Sequence, residues 1–280
     1  MNNGLTIPHL GWGVMQIASE QMTEAFNTAL DAGYRLIDTA QAYGNEEGLG
    51  AAIAQAAVPR DELFITTKLA NSEQGRDRTL KAFEASMQRL RLDVLDLFLI
   101  HWPLPMFDDY VETWKTLEEI HASGRVRSIG VSNFTQKHLR RLFGETSIVP
   151  VLNQVELHPR FPQDELREFH ARHNILTQSW SPLERGGGML GGSGDTGKHS
   201  LLEEPIIVEL ANEKSVTPAQ MVLRWHVQLG NVPIPKSANP RRMKENIEVF
   251  GFQLTEDDMR QMAELSGDRL GPDPETFSDR

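Results

Sequence analysis

The chain has 280 residues, 39% hydrophobic and 24% charged, with a formal net charge of −11 and a pI near 5.3. That balance allows a sizeable core and argues against nucleic acid or an anionic membrane as a partner, so any anionic ligand must be held by a local basic cluster. There is no cysteine, which excludes a disulfide framework and thiolate catalysis.

The opening stretch MNNGLTIPHLGWG has no basic segment leading into an apolar run, so no signal peptide is expected. No window approaches about 20 uninterrupted apolar residues, so no bilayer span is expected either. A cytoplasmic monomer is the expectation.

Strand candidates follow at 9–14 (HLGWGV), 35–40 (RLIDTA), 63–68 (LFITTK), 95–101 (LDLFLIH), 126–132 (VRSIGVS), 151–157 (VLNQVEL), 175–180 (ILTQSW) and 231–235 (NVPIP). Several are apolar on both faces, as strands of a covered parallel sheet should be. Helical patterns fill the gaps. Residues 19–33 start at Ser19 as a cap and stop at Gly33. In 77–92, Leu80, Phe83, Met87 and Leu90 share one face. The patterns at 111–124 and 217–230 both end at glycine. Eight strand–helix units of about thirty residues each predict a single-domain (β/α)8 TIM barrel, with a doubly wound sheet as the alternative. No linker divides residues 1–280. The glycine-rich stretch 185–197 reads as a flexible loop after the seventh strand, and 268–280 as a short C-terminal tail.

Three motifs are decoys. GWGVMQ at 11–16 begins like a dinucleotide fingerprint, but Gln16 replaces the third glycine. GSGDTGKH at 192–199 approaches a P-loop, but His199 stands where Ser or Thr would hold magnesium. His170 and His173 in HARH lack a third ligand nearby, so a solvated helix face is expected and no metal site.

The polar residues at the strand ends form a more coherent set. Asp38 ends the second strand with Tyr43 just beyond, Lys68 ends the third and His101 the fourth. Adjacent strand ends of a barrel converge on one rim. A free phenol, with a pKa of about 10, is a poor acid near neutral pH, and a close ammonium lowers that value. Lys68 supplies the ammonium, Asp38 holds it, and His101 can orient a carbonyl toward Tyr43. The group reads as a proton donor to a developing alkoxide. Each residue alone is equally well a structural ion pair, a core histidine or a loop aromatic, and it is the joint arrangement that points to chemistry. Further along, Ser132, Asn133 and Gln154 can read a carboxamide through donors and acceptors, and Trp180 offers a ring for a flat heterocycle. Lys236, Ser237 and Arg242 gather at a helix start, where backbone N–H groups also favour an anion.

These motifs together resemble the aldo-keto reductase family. GYRLIDTAQAYGNEEGLG, LFITTKL, LDLFLIHWP, RSIGVSNF, NQVELHP, SWSPL and IPKS…R..EN match in order and spacing from about residue 7 to 265. The chain looks most like the prokaryotic members that include 2,5-diketo-D-gluconate reductases. The resemblance implies a TIM barrel that reduces aldehydes and ketones with NADPH. It implies Tyr43 as general acid, Lys68 and Asp38 tuning it, and His101 orienting the carbonyl. It implies nicotinamide held by Ser132, Asn133, Gln154 and Trp180, with Ser181 and Leu183 in the same motif. It implies the 2′-phosphate on Lys236, Ser237 and Arg242, with Glu245 and Asn246 near the adenine. The loop 185–197 would lie over the cofactor. Met15, Ala70 and Trp102 would line the substrate pocket, and the first two would open it. A non-catalytic, nucleotide-sensing subunit of the same fold is one alternative. A barrel hydrolase using Asp38 and His101 is another, and it leaves Lys68 and the amide set unexplained.

Overall fold

The computed structural model describes residues 1–184 and 200–280. All eight expected strands form: β1 (Trp12–Gly13), β2 (Leu36–Asp38), β3 (Phe64–Leu69), β4 (Leu95–Ile100), β5 (Val126–Ser132), β6 (Leu152–Glu156), β7 (Leu176–Trp180) and β8 (Val232–Pro233). They make one parallel sheet in sequence order. The sheet closes where β8 meets β1. Gly11 N donates to Pro233 O at 3.0 Å and Gly13 N to Pro235 O at 3.2 Å, and Gly13 bridges Lys236 in parallel. A doubly wound sheet has no such seam, so the barrel reading holds.

The seam explains the first decoy. Pro233 and Pro235 carry no N–H, so at these two positions the bonds are donated from the β1 side, by Gly11 and Gly13. A Cβ on Gly13 would lie 3.0 Å from Ile234 O, and one on Gly11 would lie 2.7 Å from Leu36 Cδ2. The two glycines of GWG therefore serve close strand approach rather than a phosphate.

Among the described residues ten helices wrap the barrel: α1 (Ser19–Ala32), α2 (Glu46–Ala54), α3 (Arg76–Leu90), α4 (Tyr110–Ala122), α5 (Gln136–Glu145), α6 (Asp164–Arg172), α7 (Pro205–Glu213), α8 (Pro218–Gln228), α9 (Pro240–Ile247) and α10 (Glu256–Ala263). The expected Ser19 cap is not there. Ala18 holds the extended cap position (φ −65°, ψ 147°) without a side-chain bond, and Ser19 is already helical. The stop at Gly33 is present, with φ 105° and its N–H on the last-turn carbonyls. In α3, Phe83, Met87 and Leu90 are buried as the pattern predicts, with Leu80 packed at the edge. Thr217 and Gln220 form a reciprocal capping box at the start of α8.

The barrel interior follows a period of two along each strand. Its floor is apolar: Leu36, Phe64, Leu97, Leu99, Leu152 and Val232 pack together with Met1, Ile7 and Leu176. Two residues on from those floor positions come Asp38 on β2, His101 after β4, Gln154 on β6 and Gln178 on β7, and Lys68 lies four beyond Phe64 on β3. Ile37, Ile65, Phe98 and Ile100 point the other way, into the layer beneath the helices. A dry floor with polar groups gathered at the strand C-termini is what turns the mouth into a site.

Candidate active site

The structure brings the four strand-end residues together. Lys68 Nζ lies 2.5 Å from Asp38 Oδ1, 2.9 Å from Thr39 O and 3.4 Å from Tyr43 Oη. The Tyr43 and His101 rings meet edge to face with centroids 5.9 Å apart. Asp38 and Lys68 are buried, while Tyr43 and His101 are half-buried at the mouth.

The electrostatics follow from burial opposed by pairing. Burial works against the Lys68 ammonium, but Asp38 and Tyr43 outweigh it and hold its pKa above the usual lysine value. Burial pushes the Asp38 carboxyl up, against the pull of Lys68 and Gln154. Both its oxygens face donors, Lys68 Nζ on Oδ1 and Gln154 Nε2 at 2.7 Å on Oδ2, an arrangement that accommodates the ionised form. Burial, and then the Lys68 charge, lower His101 to about 3, so it is a neutral imidazole with one N–H to offer.

Tyr43 is held by residues whose importance the sequence did not signal. It ends a short 3-10 turn, Gln41–Tyr43, between β2 and α2. Gln41 Nε2 donates to Ala82 O at 2.9 Å and Ser86 Oγ at 2.8 Å, and its Oε1 accepts from Ala70 N at 2.7 Å. Behind the turn, buried Glu46 accepts from Thr67 Oγ1 at 2.6 Å and pairs with Arg89 at 2.6 Å. Asn45 Nδ2 donates to Val14 O and Ile17 O, and its Oδ1 accepts from Thr39 Oγ1. The only trace of this scaffold in the sequence is a polar run, QAYGNEE, directly after an apolar strand.

Across the mouth, Ser132 and Gln154 are register partners on β5 and β6, and Asn133 follows β5 with φ 64°. Ser132 Oγ donates to Gln154 O at 2.9 Å. Asn133 Nδ2 donates to His101 O at 3.0 Å and Ser132 Oγ at 3.1 Å, and its Oδ1 accepts from Trp180 Nε1 at 2.8 Å. The expectation of a mixed donor–acceptor set is therefore altered, because the side-chain donors are already committed within the protein. Trp180 is half-exposed at the end of β7, and Ser181 follows with φ 47°. Leu183 packs on the apolar clusters beneath α7 and α8.

At the closing seam, Lys236 is exposed and Ser237 is buried. Trp12 Nε1 donates to Ser237 O at 2.8 Å, and Ser237 Oγ accepts from Asn239 N at 3.1 Å. Asn239 caps α9 by accepting from Arg242 N at 3.1 Å, which leaves the Arg242 side chain exposed on the first turn. Glu245 lies 3.6 Å from Arg241, and Asn246 is buried. This basic first turn is the local cluster that the net charge of −11 requires for an anion.

On the substrate side, Met15 and Ala70 are half-buried and Trp102 is buried. The tail, short as it is, folds back along this rim. Glu156 accepts from Leu270 N at 2.7 Å and Gly271 N at 2.9 Å, Phe277 packs on Trp102 with centroids 4.4 Å apart, and Asn71 Nδ2 donates to Asp279 O at 2.7 Å. Gly271 lies against Trp180, where a Cβ would come within 2.5 Å of Cη2. The expected loop 185–197 lies outside the described residues. The HARH motif departs from its expected solvated face. His170 is buried, paired with Asn153 Nδ2 at 3.0 Å and Thr177 Oγ1 at 2.9 Å, while His173 is exposed. Its position on the inward stripe of α6 beside Phe169 explains the difference. No helix among the described residues is long and apolar enough to cross a membrane.

The family model for the aldo/keto reductases matches residues 7–266. An aldo-keto reductase of Mycolicibacterium smegmatis is 50% identical over 279 residues, covering 99% of this chain and 97% of that protein. The methylglyoxal reductase DkgA of Escherichia coli (strain K12) is 46% identical over 278 residues, covering 99% of this chain and 96% of that one. Among solved structures, a mutant of Gox0644 in complex with NADPH superposes with a TM-score of 0.89 at 48% identity, over 98% of this chain and 96% of that one. A Bombyx mori aldo-keto reductase in complex with NADP gives a TM-score of 0.85 at 36% identity, over 95% of this chain and 91% of that one.

Proposed function

This chain belongs to the aldo/keto reductase family, and from that premise we propose that it reduces aldehydes and ketones to alcohols with NADPH, with Tyr43 as the general acid. The observation that carries the reading is the buried relay in which Asp38 lies 2.5 Å from Lys68 Nζ, itself 3.4 Å from the Tyr43 oxygen. An ammonium at that distance favours the phenolate, which makes Tyr43 a better proton donor than a free phenol. Thr39 O and the Gln41 turn hold lysine and phenol in that geometry before substrate arrives.

The residues present fit the cofactor. Trp180 offers its face, Gln154 and Asn133 offer acceptor oxygens beside it, and Ser181 and Leu183 continue the same wall. Lys236, Ser237 and Arg242 would hold the 2′-phosphate, with Glu245 and Asn246 along the adenine. NADPH, when bound, supplies the hydride that adds to the carbonyl carbon. The carbonyl oxygen receives its proton from Tyr43 Oη, while neutral His101 donates its N–H to that oxygen and turns it toward the phenol. Lys68 then stabilises the phenolate until solvent returns the proton. Met15, Ala70 and Trp102 would form the substrate walls. The small Ala70 and the adaptable Met15 favour a broad range of carbonyls.

Tyr43→Phe tests the reading. Reduction should fall by about 10²–10⁴-fold, the usual worth of a positioned general acid, while NADPH still quenches tryptophan fluorescence. A Phe variant that keeps most of its turnover would remove the proton-donor role. The same titration separates the enzyme from a sensing subunit, which would quench without turnover on an aldehyde panel, and from a hydrolase, which would not quench.

A further inference from the structure

Gln178 has no place in the chemistry described so far, yet it is fully buried in the barrel interior. It is the register partner of Gln154 on the neighbouring strand. Gln154 Nε2 donates one hydrogen to Asp38 Oδ2 and the other to Gln178 Oε1, each at 2.7 Å. The direction of these bonds is forced. A carboxylate only accepts, so the nitrogen end of Gln154 must face Asp38. The second hydrogen of that nitrogen then needs an acceptor, so Gln178 must turn its oxygen toward Gln154. Gln178 Nε2 is thereby left buried with no acceptor among the described residues. A buried donor left unmet costs stability, so the orientation is kept against that cost.

With both hydrogens of Gln154 engaged, its oxygen is what remains for a ligand. Its neighbours are in the same condition. Ser132 has given its hydrogen to Gln154 O, and Asn133 has given both of its own to His101 O and Ser132 Oγ. Asn133 Oδ1, already accepting from Trp180, keeps a second lone pair. The side chains of Ser132, Asn133 and Gln154 therefore offer a ligand acceptors and no donors.

We propose that Gln178 is a positioning residue that locks Gln154 as an acceptor, so that the site selects a nicotinamide whose carboxamide presents an NH2 group. The proposal rests on the NADPH reading above and adds to it the residue that sets the recognition. Gln178 touches neither cofactor nor substrate and acts only through Gln154. Without it, the second hydrogen of Gln154 is free to turn toward a ligand carbonyl, and the preference for NH2 is lost.

The test uses binding rather than turnover. Quenching of tryptophan fluorescence is titrated with NADPH and with its reduced 3-acetylpyridine analogue, in which a methyl replaces the carboxamide NH2 and the carbonyl is kept. Wild type should bind NADPH about tenfold more tightly than the analogue, the worth of one well-placed hydrogen bond. Gln178→Met should bring the ratio to within about threefold, with a thermal midpoint close to wild type. Gln178→Glu, which keeps an accepting oxygen at that place, should keep the preference. A Met variant with the wild-type ratio overturns the proposal. So does a wild type that binds both dinucleotides equally, a result that needs no variant to fold. Quenching by neither overturns the cofactor reading together with this one, whereas equal quenching by both overturns this one alone.

Discussion

Two buried histidines and the half-buried His101 should make the fold acid-sensitive well above the carboxylate range. Burial lowers His101, His170 and His226 to about 3 each, with Lys68, His173, and His158 with Arg167 respectively adding to the shift. For His226 the bond to Pro182 O, 3.1 Å long, opposes the shift without cancelling it. In the unfolded chain each titrates near 6.5. A folded value below the unfolded one means that the unfolded chain binds more protons between about pH 3 and 6.5. The stability tied to the neutral forms is therefore complete above pH 6.5 and is lost as the pH falls through that window. Moving from pH 7.5 to 5.5 should cost about 1.4 kcal/mol per histidine, about 4 kcal/mol for three. That is a large share of the roughly 5–15 kcal/mol that holds a native protein. Urea unfolding at the two pH values measures the loss. His226→Gln, which can still donate to Pro182 O, should lose about a third less than wild type over the same interval. A His226→Gln protein with the full wild-type loss would refute the reasoning, because the proton uptake would then lie elsewhere.

Arg242→Ala should weaken NADPH by about 10–100-fold, the range for a charge-assisted contact, and leave NADH nearly unchanged. Equal losses for both, measured by fluorescence titration, would remove the 2′-phosphate assignment. Gly271→Val should drive a side chain into Trp180, where a Cβ already comes within 2.5 Å of the ring. The emission of Trp180 and the KM for carbonyl substrates should both change, and unaltered values would show that the tail yields freely. Glu156 holds Leu270 and Gly271, and its pKa is lowered because its bonds to His158 and those two N–H groups outweigh burial. Its contribution is therefore present above the ordinary glutamate value of about 4.3 and is lost as the pH falls below it. Glu156→Gln should expose the tail to limited proteolysis at neutral pH, and a tail as resistant as wild type would show that Glu156 does not anchor it.

The barrel was legible because each strand is a short apolar run between helical patterns, and the candidate site was legible because its residues end such runs. Asp38, Lys68 and His101 are ionisable residues where the floor pattern continues two or four positions too far, and that discontinuity is visible in a string of letters. Gln178 and Glu156 obey the same alternation, yet nothing in ILTQSW or NQVELHP tells which neighbour a buried amide or carboxylate meets. Their partners lie 24 and 114 residues away, and only the pairing of β6 with β7 and the return of the tail bring them together. Ser19 misled for a local reason, since it is a good cap one residue too late to act as one. HARH misled because spacing alone does not say which histidine of a helix lies on its buried stripe.

Asp38 joins the two halves of the mouth. One of its oxygens takes the lysine that faces the phenol, and the other takes the Gln154 amide. Charge on this carboxylate is thus held from both sides, by an ammonium at 2.5 Å and an amide at 2.7 Å. An amide hydrogen withdrawn from Oδ2 removes stabilisation from the ionised form. A carboxylate that takes up a proton no longer sustains the ammonium that faces the phenol. In the proposed reaction, recognition of the nicotinamide and acidity of Tyr43 would for this reason not be independent. A substitution that turns the Gln154 amide should alter both cofactor preference and the pH dependence of reduction, while one confined to the α9 turn should alter cofactor affinity alone.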